Sequence, residues 1–112
     1  MILAQTVPNG AIGTETLLYS VPVDAEMQLD QLVVCNQTNV AKAYRVRMAK
    51  KGEETAQNKQ YVQGGQTGGP VGTTINAAST HYLTGFSLTD GDLIYVSADS
   101  ALVSFSLYGR IN

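Results

Sequence analysis

The chain has 112 residues, enough for one hydrophobic core and not for two. Its 44% hydrophobic content belongs to a globular protein rather than a disordered one, while charged residues make up only 14%. A net charge of −2 gives no general pull toward nucleic acid, and no apolar run approaches the roughly 20 residues that would span a membrane, so neither is expected as a partner.

In chain order, residues 2–7 read as a short strand or arm, stopped by Pro8-Asn9-Gly10. Proline fixes φ there and Asn-Gly favours a tight reversal. Residues 15–21 read as a strand with Leu18 and Ser20 on one side and Leu17, Tyr19 and Val21 on the other, interrupted by Pro22. Residues 27–35 follow, where Leu32, Val33 and Val34 predict burial on both faces and Cys35 reads as a small buried hydrophobe. With a single cysteine, no internal disulfide can form. Asn36-Gln37-Thr38 lies in a polar turn and matches a glycosylation sequon, which carries no weight without secretion.

Residues 43–49 alternate, placing Tyr44, Val46 and Met48 in the core and Arg45 and Arg47 on the outward face. The two arginines join Lys50 and Lys51 in a basic cluster, followed at once by Glu53 and Glu54. This reads as a solvated or intersubunit salt-bridging face, with a phosphate or anionic sugar contact as the alternative. After a polar connection, residues 59–62 form a short strand. Residues 63–72 then hold five glycines and a proline without a charge. Such a segment is a flexible loop, or one that another backbone approaches closely.

After a short extended piece at 73–77, residues 80–88, 92–98 and 101–109 read as a three-stranded meander. In the last of these, Val103, Phe105 and Leu107 alternate with Leu102, Ser104, Ser106 and Tyr108, giving an apolar and a small polar face. The turns fall at 89–92 and 99–100, where glycine tolerates positive φ and aspartate bonds its own backbone.

About eight short strands without an amphipathic helix predict an all-β, single-domain antiparallel β-sandwich, jelly-roll-like, over residues 1–112, with 1–13 as an N-terminal arm. Its expected core is Leu18, Leu32, Val34, Tyr44, Val46, Met48, Phe86, Leu88, Ile94, Val96, Val103, Phe105 and Leu107.

Chemistry is sparse. His81 is the one histidine, with no nucleophile or carboxylate at a telling spacing, so no catalytic residue is assigned and the chain does not read as an enzyme. The 63–72 segment lacks the Lys-Ser/Thr of a phosphate loop. Asp90-Gly91-Asp92 with Asp99 lacks the further oxygen ligands of a calcium loop and reads as a turn, so no metal or cofactor is expected. What remains is contact. Tyr61, Tyr82, Tyr95 and Tyr108 offer apolar area with a polar tip, and Arg45 and Arg47 offer charge. Ile2, Leu3 and Val7 predict an arm that adds a strand to a neighbouring subunit or a partner. Gly64, Gly65, Gly68 and Gly69 predict a loop that orders on contact with one.

Leu18-Tyr-Ser-Val-Pro22, Leu32-Val-Val-Cys-Asn36, Tyr44-Arg-Val-Arg47, Leu88-Thr-Asp-Gly-Asp-Leu-Ile-Tyr-Val96 and Val103-Ser-Phe-Ser-Leu-Tyr-Gly109 stand in one order. Together they resemble small structural proteins and fibre-associated modules of tailed bacteriophages, from about Leu17 onward; the 63–72 segment departs from that pattern. The resemblance implies a β-sandwich present in many copies in a virion, made in the host cytoplasm because the N-terminus lacks a signal-peptide pattern. It transfers no catalytic residue. The expectation is a capsid decoration (cement) protein that assembles as a homotrimer on the major capsid protein or another virion protein. The alternatives are a tail, collar, baseplate or fibre-tip module, and, from another class, a carbohydrate-binding module.

Overall fold

Period-2 alternation makes ten strands and no helix among the residues that the computed structural model describes, 2–8, 10, 14–22, 27–50, 60–63, 73–84, 86–88 and 91–111. They are β1 (Ile2–Thr6), β2 (Thr16–Ser20), β3 (Met27–Asn36), β4 (Lys42–Lys50), β5 (Gln60–Gln63), β6 (Thr73–Ile75), β7 (Thr80–Leu83), β8 (Phe86–Leu88), β9 (Asp92–Ala98) and β10 (Val103–Ile111).

The pairing is nested like one long hairpin. β1 meets β10, β2 meets β9, β3 meets β7 and β8, and β4 meets β5 and β6, all antiparallel. β10 also pairs with β3 and β9 with β4, which rolls the hairpin into two five-stranded sheets. The first sheet runs β1-β10-β3 and then β7 and β8; the second runs β2-β9-β4 and then β5 and β6. This is the strand order of a jelly roll. Counting β5 with β6 and β7 with β8 as two interrupted strands, it has the eight that the sequence predicts.

The C-terminal strands do not form a meander. β7, β8 and β10 lie in the first sheet and β9 in the second, so each connection around β9 crosses the sandwich. The local pattern is right and the neighbours are wrong, because turn residues fix where a strand ends and not which sheet receives the next one. Gly91 does adopt the positive φ, 78°, that the turn before β9 requires.

The inner faces meet in one core. Val34, Val46, Val96, Val103, Phe105 and Leu107 are buried there, and Ile75 and Ala98, which the predicted core did not include, join them. Tyr44 of the second sheet crosses to the first, with its ring edge-on to Phe105 at 6.0 Å between centroids. Its hydroxyl lies 2.9 Å from His81 Nδ1, so the buried phenol has a partner and the lone histidine packs inward. Met48 is only partly buried at the margin of this core. The side chains of Phe86 and Leu88 lie outside the described residues.

One bulge overrides simple alternation. Between Leu17 and Tyr19 the register of β2 on β9 shifts, so Leu18 and Val21 are buried while Leu17 is exposed. Cys35 sits between buried Val34 and Asn36 and turns to the outer face of the first sheet, where it is half-buried rather than in the core. The predicted arm is also corrected. Its strand β1 adds to the chain's own first sheet through β10, and Leu3 packs on the core.

Candidate interaction surface

The two outer faces differ. On the second sheet, Leu93, Ser97, Arg45 and Arg47 all point away from the core and are nevertheless buried, the arginines to 7% and 3% exposure. The solvated face predicted for Arg45 and Arg47 is therefore incorrect. The Arg47 guanidinium grips Glu15, just ahead of β2, through Nε to Oε2 at 2.6 Å and Nη2 to Oε1 at 2.7 Å. It also lies 4.6 Å above the Tyr95 ring. A planar, bidentate, stacked cation is a structural clamp joining β4 to β2 and β9. Glu15→Gln keeps the shape and removes the charge, so it should lower stability by about 1–3 kcal/mol in urea unfolding; an unchanged midpoint would remove the clamp from the account.

The first sheet is open. Register places Gln5, Ser106, Val33 and Tyr82 in one row across β1, β10, β3 and β7, with Ser104, Cys35 and Thr80 in the next. Tyr82 is 63% exposed. Among the described residues of this face, charge occurs only at one end, where Arg110 Nη2 and Asp30 Oδ1 pair at 3.7 Å beside the β3 bulge. The remainder is amide, hydroxyl and small apolar surface.

At the opposite end a cleft of about 310 Å³ opens between the end of β1 and the turn after β3. Gln5, Thr6 and Val7 form one wall, Gln37 the other, and Ser104, Phe105 and Ser106 the floor. The Gln5 amide donates to Ser106 Oγ at 3.2 Å, and the Gln37 amide donates to Ser104 Oγ at 3.3 Å. Val7 beside them is about half exposed.

Of the contact residues that the sequence singles out, Tyr82, Tyr108 and Val7 belong to this face or its end. Ile2 is in register with Tyr108, although its side chain lies outside the described residues. Tyr95 belongs to the Arg47 clamp instead, and Tyr61 stands opposite Arg47 on β5 by backbone register alone. Gly64, Gly65, Gly68 and Gly69 lie outside the described residues. Sequence reading missed Gln5 and Gln37. Their polar character was plain, but nothing local says that positions 32 residues apart flank the same two serines. Among the described residues, no three His, Cys, Asp or Glu side chains come together as a metal site.

Comparisons of the chain with protein-family models, curated proteins and solved structures give no match.

Proposed function

We propose that this chain is a structural protein of a bacteriophage virion, a capsid decoration protein that oligomerises on the head and stabilises it. The observation that carries the reading is the open outer face of the first sheet, four strands wide and without charge between Gln5 and Tyr82. Burying such a face against protein desolvates no ion, whereas burying an ordinary charged surface would. The jelly roll supports it too, since this architecture recurs in capsid and lectin domains, an argument by analogy of fold. The partner assigned to the face is the major capsid protein, and the ordered phage-like motifs supply that identity.

The test uses undecorated capsids mixed with the purified chain and imaged by electron cryo-microscopy. Density for the chain on the head, with the β1-β10-β3-β7 face inward, is expected. Tyr82→Glu places an unpaired charge on that face and should lower occupancy by more than about tenfold without unfolding the chain. Density on the tail would move the chain to a collar, baseplate or fibre. Absence from purified particles would end the virion reading.

A further inference from the structure

We infer that the cleft between Gln5 and Gln37 is a binding site for a neutral saccharide. The cleft shares Gln5 and Ser106 with the face assigned to the capsid, so the inference concerns the free chain, in which a sugar and the capsid would compete for that end of the face.

Each glutamine uses one amide hydrogen on a serine, Gln5 on Ser106 and Gln37 on Ser104. Those bonds fix the orientation of both amides. They leave each glutamine with a second N–H donor and its Oε1 acceptor. Because each serine oxygen already accepts, its own O–H is left to donate outward. The cleft thus offers two matching sets of one carbonyl acceptor beside two donors. That is the complement of a hydroxyl group, which both gives and accepts a hydrogen bond.

Spacing and size agree. Ser104 and Ser106 are two residues apart on one face of β10, about 7 Å, a span that places one set at either side of a pyranose ring. The volume of about 310 Å³ suits one or two sugar rings and lies near the lower limit of small-molecule sites, roughly 300 Å³. Val7 gives the C–H face of a sugar an apolar wall. Among the described residues no charged side chain lines the cleft, so an anionic sugar or phosphate would lose its hydration there without a counter-charge. An extended peptide is the weaker fit, since its alternating N–H and C=O groups call for a strand edge and the cleft floor is a sheet face.

The experiment is an amide NMR titration of the full chain with glucose, galactose, mannose and N-acetylglucosamine. At least one should shift the side-chain amide signals of Gln5 and Gln37 saturably, with a Kd on the order of millimolar for a single ring. Gln5→Ala and Gln37→Ala, both at exposed positions, should each weaken binding by about tenfold, the loss of roughly one hydrogen-bonded contact. Thr74→Ala on the second sheet should leave it unchanged. A well-dispersed spectrum of each variant separates lost binding from lost folding. No saturable shift with any of the four sugars would overturn the inference. Tighter binding of glucuronate would do the same, and so would tighter binding of the neutral peptide Gly-Gln-Thr-Gly.

Discussion

Phe105→Ala is expected to lower stability by about 3–5 kcal/mol, a large share of the roughly 5–15 kcal/mol that holds a domain folded. Phe105 is fully buried near the start of β10, flanked in register by Thr6 of β1 and Val34 of β3. Its ring also meets Tyr44 from the facing sheet, so the deletion empties the space between the layers rather than a margin of one. Neighbouring strands hold the backbone on both sides, which limits collapse into the cavity and keeps the loss near the upper part of that range. Ser104→Ala, one residue away on the open face, should change stability by no more than about 0.5 kcal/mol. Urea unfolding of the pair reads the contrast directly. Equal midpoints would mean that β10 does not separate a core face from an outer one, and the sandwich would have to be redrawn.

That contrast was legible in the sequence because alternation along β10 is a local property. Val103, Phe105 and Leu107 announce an inward face by their spacing alone, and the structure buries all three. Alternation also assigned Arg45 and Arg47 correctly to the side of β4 opposite Tyr44 and Val46. It could not say that this side is itself buried. Whether an outer face meets water depends on Glu15, 32 residues before Arg47, arriving within 2.6 Å, and no short window contains that fact. The same reason hid the sheet partners. Jelly-roll pairing joins β1 to β10 and β2 to β9 across nearly the whole chain, so correct strands in correct order still allowed a meander. The cleft was hidden for this reason as well, its walls coming from β1 and from the turn after β3, its floor from β10.

Asn36 was hidden differently: it read as a turn residue within a sequon of no consequence, and it is the polar pin of the sandwich. It is fully buried at the end of β3. Its Nδ2 lies 2.9 Å from Val40 O and 3.1 Å from both Ile75 O and Asn76 O, its two hydrogens shared among three carbonyls. Its Oδ1 accepts from Thr38 N at 2.9 Å and from Thr38 Oγ1 at 2.7 Å. One side chain therefore ties β3 of the first sheet to β6 of the second and closes the turn between β3 and β4. The neighbouring turn leans on the same site, with Ala78 held at a φ of 54° while its N–H donates to Thr38 O.

Asn36→Ala strips three carbonyls and an N–H of this partner and should cost about 3–5 kcal/mol, less than the full sum because water can reach part of the site. Asn36→Asp is the sharper test. It preserves the bonds from Thr38 but turns a carboxylate oxygen toward three carbonyl oxygens. Burial and that repulsion both disfavour the charged form, so the introduced carboxyl must have a folded-state pKa above its unfolded value of about 3.9. The folded state then binds the proton more tightly than the unfolded one. The penalty is fully present above the raised pKa, shrinks as pH falls through it, and reaches its minimum below the unfolded value. Once protonated, the acid can donate one hydrogen bond to a carbonyl in place of the lost amide. The quantity to measure is the stability gap between wild type and Asn36→Asp from about pH 7 down to pH 4, since acid effects on Glu15 and the other native carboxylates cancel in the difference. The gap should narrow steadily on acidification. A gap that stays constant, or widens, would mean that position 36 does not face those carbonyls and that the two sheets are joined there by something else.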